Sequence, residues 1–591
     1  MLRSGWYCPR HGRVKNPPDF KTRRFNKKFR SESERGSSRD RGFEAKRDSS
    51  TGQALRPYQV EAAKEISKAL KQGKSVLLCM PTGTGKTRTA LEALRDYEFS
   101  VFTRTINEYY PWENEARVAG VLFGGLVGKA RVCQHPIQTF EFLGVKRFVY
   151  SACIMKSDRG VERCEFNPSQ SDQLVQTMQR KGVLEFARGV PGKWCGYFVA
   201  REYEGKMKLY TYPVYFFLKK LLRDDLRVFD EFHNLMEINS LLEVSVAKDE
   251  LQGMKKIVEK VYNDGTSEQK NVAEKGLAFL VEVENWLDSD GPPPEPDPDS
   301  TGELTQVLSD FYGSLPPDAA LNYEEKIGAL NDYLSKIREQ PDIWKKYPDQ
   351  KRPGRYRIRP LDPAYLLKPL NDEQWIGLSG TPPSPEYMRD VLGLRNIEIV
   401  SPKTPFPTSE QYRYHFTNNI NLSYANREFL KNQVISTVEE IVSKSSGKTM
   451  IVVPNYQMAS WFSHLPYTIT EDRRTAISEV EPFRTLVVNA HGKFTEGVEF
   501  SRNGLSQLST IVIVGVPYPN VSDPFFVDML EYVSKGDRKK KWRVLEEYAR
   551  VRTFQAIGRA VRGPEDQVDV YMVDDRFRRM GWTYPGKQDS S

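Results

Sequence analysis

The sequence predicts an α/β protein of two parallel-sheet units, the first interrupted by a cysteine-bearing insertion and then by an all-α insertion. Three observations carry that expectation. Apolar strand runs alternate with helical patterns around Lys74 to Tyr97 and again near the C-terminus (TMIVVPNY, RTLVVNA, STIVIVGVPY, VDVYMVDD). Residues 129–200 hold four of the six cysteines and show little periodicity. Residues 241–345 read as helical repeats (LQGMKKIVEKVY, VAEKGLAFLVEVENWL, YEEKIGALNDYLSKI), interrupted at Gly291-Pro292-Pro293-Pro294-Glu295-Pro296 by a stiff exposed linker.

The chain of 591 residues exceeds one ordinary core, so three or four structural units are expected. Its net charge of +9 is not spread evenly. Residues 1–50 carry fifteen Lys/Arg and six Asp/Glu, which leaves 72 of each elsewhere. The body is formally neutral, so any nucleic-acid path through it must be a local groove. Residues 1–52 almost lack aliphatic side chains and are expected to be a disordered basic tail, attracted to phosphates in a salt-sensitive way. Tyr7-Cys8-Pro9-Arg10-His11 has the look of half a zinc site, but no partner pair follows nearby, and an unliganded tail is the preferred reading. No apolar run approaches the ~18 residues of a spanning helix. The N-terminus also lacks a signal-peptide core, so a soluble, intracellular protein is expected. Six cysteines in so long a chain do not make a secreted disulfide framework.

From Leu55 a helical pattern (RPYQVEAAKEISKALKQG) ends at Gly73, and Val76, Leu77 and Leu78 then form a strand. That strand delivers Pro81-Thr82-Gly83-Thr84-Gly85-Lys86-Thr87 to the start of a helix. Gly83 and Gly85 let backbone N–H groups approach phosphate oxygens, with Thr84 between them. Lys86 supplies a point charge, Thr87 a hydroxyl for Mg²⁺, and the helix start its dipole. A nucleotide-binding loop is therefore predicted, although Met80 stands where the strict pattern has Gly. Downstream, Leu226-Arg227-Val228-Phe229 reads as a strand ending in Asp230-Glu231-Phe232-His233. In a phosphate-loop fold Asp230 can hold Mg²⁺ through water, Glu231 can deprotonate the attacking water, and His233 is read as a coupling residue. In Thr553–Arg562 the spacing i, i+4, i+7 predicts that Gln555, Arg559 and Arg562 share one helical face, presenting guanidinium groups to phosphate from the second unit.

Together these residues resemble the superfamily 2 helicases, and within them the XPD family of iron–sulfur DNA helicases, from residue 55 to about 580. A loop reading x-P-T-G-x-G-K-T, with no Gly at the Met80 position, is common among helicases. Leu55-Arg56-Pro57-Tyr58-Gln59 is similar to the adenine-reading element, which makes Gln59 the implied base contact. Arg104-Thr105-Ile106-Asn107-Glu108-Tyr109-Tyr110-Pro111 is similar to the first DNA-contacting motif. Asp230-Glu231-Phe232-His233 stands where the family carries DEAH, with Phe in place of Ala. Ser379-Gly380-Thr381, Gly492-Lys493-Phe494-Thr495-Glu496-Gly497-Val498-Glu499, Gly515-Val516-Pro517-Tyr518-Pro519 and Gln555 to Arg562 resemble the later motifs.

What the resemblance implies is a pair of RecA-like motor domains binding ATP and Mg²⁺ between them, with an inserted iron–sulfur domain and an all-α arch. The expected boundaries are a tail at 1–52, motor domain 1 at 53–128, 201–240 and 356–402, the iron–sulfur domain at 129–200, the arch at 241–355 and motor domain 2 at 403–591. It also implies 5′→3′ unwinding on single-stranded and forked DNA by a monomer that serves repair or genome maintenance beside other repair proteins. Arg104, Asn107, Tyr109 and Lys493 become the implied strand contacts.

Cys133, Cys153, Cys164 and Cys195 have nineteen, ten and thirty residues between them. By spacing alone that suits zinc, iron–sulfur or no metal. The resemblance implies a [4Fe–4S] cluster, although the family sets its middle pair closer together. Three other readings remain open from the residues: a single-strand translocase that separates duplexes poorly, a DEAH-type RNA helicase, and a nucleotide-dependent scaffold.

Overall fold

The computed structural model describes residues 7–8, 12–13, 54–132, 139–142, 145–148, 171–190, 194–217, 222–223, 225–312, 327–472, 483–492, 494–495, 500–502 and 505–584. Tyr7–Cys8 and Gly12–Arg13 form a short antiparallel pair. The rest of the stretch read as a basic tail lies outside the described residues.

Seven strands make the first sheet: β1 (Ser75–Cys79), β2 (Phe99–Thr103), β3 (Phe123–Gly125), β4 (Met207–Thr211), β5 (Leu226–Phe229), β6 (Trp375–Ser379) and β7 (Ile397–Val400). Their order is β7-β1-β6-β5-β2-β4-β3, and each pairing is parallel. A parallel sheet needs both faces covered, which is why these strands are continuous apolar runs rather than alternating ones. β2, β5 and β6 are buried along their whole length. The register sets Ile376 beside Val76 and Ser379 beside Cys79, although the two insertions separate them in sequence. Because β1, β6 and β5 are adjacent, the loops leaving their C-terminal ends lie side by side. Those loops carry Pro81–Thr87, Ser379–Thr381 and Asp230–His233, on the edge where open α/β sheets bind ligands.

The second sheet consists of β8 (Tyr412–Phe416), β9 (Lys448–Val453), β10 (Thr468–Thr470), β11 (Thr485–Asn489), β12 (Leu508–Val514) and β13 (Val568–Val573). It runs in the order β8-β13-β12-β9-β11-β10 and is also parallel throughout. The helices Pro524–Ser534 and Arg538–Ile557 link β12 to β13. Their apolar faces do not pack on their own sheet alone. Phe525, Phe526, Met529, Leu530, Leu545 and Tyr548 share one buried cluster with Leu77, Phe102, Phe229, Phe232 and Trp375 of the first unit. The second unit is thereby seated on the first through an apolar joint beside the strand ends.

The stretch 241–355 departs from the all-α expectation. Four helices, Lys248–Asp264, Ser267–Asp288, Pro298–Tyr312 and Gly328–Glu339, do share a core that includes Leu251, Val258, Leu280 and Trp286. Thr266 and Gln269 form a capping box at the start of the second helix. The base, however, is a three-stranded antiparallel sheet of Val244–Ala247, Arg355–Pro360 and Trp344–Pro348. Helical periodicity upstream masks the cause. Arg355-Tyr356-Arg357-Ile358-Arg359 alternates with period two, and Gly354 at φ +78° turns the chain into it.

Candidate active site at the seam of the two sheets

β1 ends at Cys79, and Met80 is fully buried, its N–H donating to the Ser379 carbonyl at 3.2 Å. Met80 therefore packs into the first unit's core where the strict motif has Gly. Gly83 and Gly85 take φ of +85° and +88°, and Gly85 caps the helix Lys86–Ala93 from the left-handed region. That conformation favours glycine, and a Cβ on Gly85 would also collide with the Gln59 amide. Gln59 donates from Nε2 to the Thr84 carbonyl (3.1 Å) and accepts from the Arg56 N–H at Oε1 (2.8 Å). The Tyr58 hydroxyl reaches the same carbonyl at 3.1 Å. Gln59, implied as a base contact, is thus placed against the phosphate loop. Thr87 follows Lys86 in the first turn of that helix.

Lys86 is only 8% exposed, and its Nζ stands 4.0 Å from Glu231 Oε1. Glu231 holds φ +48°, a left-handed conformation costly for a non-glycine residue and one that aims its carboxylate at Lys86. Burial would raise its pKa, but the charges of Lys86 and Arg559 outweigh burial and hold it below the usual carboxylate range. Asp230 behaves oppositely. Burial, reinforced by the Glu231 charge, pushes its carboxyl up to about 7. The Trp112 indole N–H donates to Asp230 Oδ2 at 2.8 Å, and the Tyr212 hydroxyl donates to the Asp230 carbonyl. Two carboxylates this close, one pushed towards its protonated form, suit a divalent cation, whose charge would relieve the strain of ionising both.

His233 connects the acids to the rest of the seam. Its Nδ1 lies 3.0 Å from Ser379 Oγ and its Nε2 lies 2.5 Å from Gln555 Nε2. If the Gln555 amide donates to Nε2, the proton sits on Nδ1 and points to Ser379. Burial lowers the imidazole pKa to about 4, so the ring is neutral at physiological pH. Gln555 belongs to the helix Arg538–Ile557, so this contact joins the two sheets' units.

One expectation about that segment is overturned. Gln555, Arg559 and Arg562 do not share a helical face, because the helix ends at Ile557 with Gly558 as its C-cap. Arg559 and Ala560 donate to carbonyls three residues back, a tight turn rather than continued helix. The arginines still face the site. Arg559 donates from Nε to the Thr495 carbonyl (3.1 Å), and its charge is felt at Glu231. Arg562 donates from Nη1 to the Gly558 carbonyl (2.8 Å), and its Cδ lies 3.8 Å from a Cβ built on Gly83.

Among the implied strand contacts, Arg104 is partly exposed and donates to Asn234 Oδ1 at 3.4 Å, and Asn107 is exposed. Tyr109 is not available to a strand. It is 1% exposed, and its hydroxyl donates to the Leu126 carbonyl at 3.0 Å. The helix Tyr109–Ala119 turns Tyr109 inward and leaves its neighbour Tyr110 67% exposed. Lys493 lies outside the described residues, as do Cys133, Cys153 and Cys164. Cys195 is the N-cap of the helix Gly196–Glu202. Tyr212, Glu237 and Arg552 are site residues that sequence reasoning missed. Trp112, which sequence reasoning read as an aromatic for single-stranded DNA, is instead buried and bonded to Asp230.

Two parallel-sheet units that divide phosphate-facing side chains between them across a seam are the architecture of a superfamily 2 helicase, and this chain is one. A Helicase C-terminal domain model matches residues 438–584, and a model described as Type III restriction enzyme, res subunit, matches 53–104. Within the superfamily the chain is a homologue of the XPD helicases. It is 25% identical over 564 residues to the ATP-dependent DNA helicase XPD of Sulfolobus acidocaldarius, covering 89% of this chain and 97% of that protein. It is 27% identical over 251 residues to the General transcription and DNA repair factor IIH helicase subunit XPD of Arabidopsis thaliana, covering 35% and 33%. A solved XPD helicase structure matches with a TM-score of 0.61 at 22% identity over 90% of this chain and 97% of its own. An XPD structure described as apo gives 0.57 at 22% identity over 88% and 97%. Both support the fold.

Proposed function

We propose that this chain is an ATP-dependent DNA helicase that moves 5′→3′ on single-stranded DNA and opens forked duplexes, serving repair or genome maintenance inside the cell. The observation that carries the reading is the 2.5 Å approach of Gln555 to His233, which ties the second unit to the residue two places beyond the acids. In this reading ATP lies across the loop Gly83–Thr87, with Lys86 on its outer phosphates. Mg²⁺ would be held by Asp230 and the Thr87 hydroxyl and would supply positive charge beside the phosphates. Glu231, kept ionised by Lys86 and Arg559, accepts the proton of the attacking water. Arg559 and Arg562 approach the phosphates from the second unit and stabilise the charge that builds up as the terminal bond breaks. Loss of that bond loosens the arginines' hold, so the seam opens and the strand advances.

Cys133, Cys153, Cys164 and Cys195 are proposed to hold a [4Fe–4S] cluster that stiffens a wedge, and the enzyme is proposed to act as a monomer. Support comes from the likeness to XPD over most of the chain. The deciding experiment measures ATP hydrolysis with and without single-stranded DNA, together with displacement of duplexes tailed at the 5′ or the 3′ end. Stimulated hydrolysis and displacement only from the 5′ tail are expected, both abolished by Lys86→Ala. Displacement only from the 3′ tail, or stimulation by RNA and not DNA, would overturn the reading. For the cluster, anaerobically purified protein should be brown with absorbance near ~400 nm that Cys195→Ser bleaches, and a colourless, iron-free preparation would remove the claim.

A further inference from the structure

Beyond the acids, the short 3₁₀ helix Phe232–Glu237 faces the helix Arg538–Ile557 through three contacts rather than one. Arg552 and Gln555 are three apart on the second helix and lie on one side of it, and His233 and Glu237 are the residues of the first that they meet. His233 meets Gln555, and the Arg552 guanidinium donates from Nη2 to Glu237 Oε1. Arg552 also donates from Nη1 to Gln555 Oε1 at 3.2 Å, so the same guanidinium that grips Glu237 orients the amide that touches His233. The Tyr548 hydroxyl donates to the Met236 carbonyl one helical turn away, which fixes the two helices in register.

Glu237 has a second neighbour of consequence. Burial would raise its pKa, but the charge of Arg552 and then that of Arg104 hold its carboxyl below the usual carboxylate range. Arg104 leaves the first sheet after β2, bonds Asn234 on the same short helix, and is one of the proposed strand contacts. The carboxylate of Glu237 thus feels two guanidinium groups, that of Arg552, which positions Gln555, and that of Arg104, a proposed strand contact bonded to Asn234 three residues before it.

We propose that Glu237 and Arg552 are a positioning pair that reports strand occupancy at Arg104 to the His233–Gln555 contact, and so makes hydrolysis depend on bound DNA. This rests on the helicase reading above. A phosphate drawn to Arg104 takes up part of the positive field that Glu237 shares. Glu237 then leans more fully on Arg552, and the Gln555 amide is drawn with it. Neither residue touches the nucleotide, and both act through Gln555 and His233.

The test uses the full chain, a single-stranded oligonucleotide and ATP. In Glu237→Gln the factor by which DNA stimulates kcat should fall at least fivefold, while the KM for ATP moves less than twofold and a fluorescent ATP analogue still binds. Arg552→Lys, which keeps a cationic donor for Glu237, should retain at least half of the stimulation, whereas Arg552→Ala should lose it as Glu237→Gln does. Stimulation in Glu237→Gln equal to the wild type would overturn the proposal. So would a kcat loss that is the same with and without DNA, which is what a merely structural ion pair predicts. Should Glu237→Gln fail to bind nucleotide, the two Arg552 variants decide, and equal stimulation in Arg552→Lys and Arg552→Ala counts against the pair. A wild-type protein that DNA does not stimulate at all would instead refute the helicase reading.

Discussion

Gly377, in the middle of β6, makes a quantitative prediction about the residue that replaces the usual Ala of the acidic motif. A Cβ at position 377 would lie 2.5 Å from Phe232 Cδ2, 2.8 Å from Phe232 Cγ and 3.1 Å from Leu77 Cδ1. The Phe232 ring cannot step aside, since it is fully buried and stacked on Trp375 at 5.0 Å with 12° between the planes. Gly377→Ala should therefore carry an overpacking cost of about 1–3 kcal/mol. That corresponds to a fall in Tm of roughly 2–12 °C for a unit of this size. Phe232→Ala alone should cost about 3–5 kcal/mol, because it leaves a ring-sized cavity beside Trp375. With the ring gone, however, Gly377→Ala changes sign. It then fills space and removes a strand glycine, a gain of roughly 0.5–1 kcal/mol. Thermal unfolding of the two single variants, the double variant and the wild type closes the cycle. An equal penalty for Gly377→Ala in both backgrounds would show that the ring is not what requires glycine there.

The acids supply the other predictions. Glu231→Gln should keep ATP binding and lose turnover by at least about 100-fold, read by nucleotide affinity beside steady-state hydrolysis, since the group that takes the water's proton is gone. Because burial raises the Asp230 carboxyl to about 7, a cation must displace a proton at lower pH. Apparent Mg²⁺ affinity should then weaken by up to about tenfold per unit as pH falls below about 7, level off above it, and lose this slope in Asp230→Asn. Trp112→Phe removes an N–H that favours the ionised form of Asp230, so the same Mg²⁺ titration should shift to higher pH. An unchanged midpoint would deny the indole that role.

Much of the fold was legible because parallel sheets write themselves as continuous apolar runs. Val76 to Leu78, Val228 to Phe229 and Ile511 to Val514 need no partner to be recognised. The base of the helical insertion was not legible from its neighbours. Arg355–Pro360 alternates apolar with charged residues but Trp344–Pro348, with Lys345 and Lys346 adjacent, does not, and long helices on the N-terminal side drew the reading towards period 3.6. Tyr109 fails for a related reason. A motif puts aromatics beside a strand path, but only the helix phase says whether Tyr109 or Tyr110 points outward.

At the site, the phosphate loop and the acids were readable because their chemistry is contained in a few consecutive residues, each delivered by one strand. The seam was not, because it depends on where a helix stops. Extending the helix Arg538–Ile557 by two turns would have put Arg559 and Arg562 on the Gln555 face, as the i, i+4, i+7 spacing suggests. Gly558 instead turns the chain, and Arg562 is fixed by its Nη1 bond to the Gly558 carbonyl and by its backbone N–H on Asp566 Oδ2 at 2.7 Å. Gln555 is left rigid on the helix, gripped by Arg552, while the two arginines ride on a turn that ends at Asp566. A turn can re-aim a guanidinium with small backbone changes, whereas a helix moves its side chains as a body. The division therefore gives each part its own task. In the proposed reading the helix senses His233 through Gln555, and the turn carries the charge offered to the phosphates.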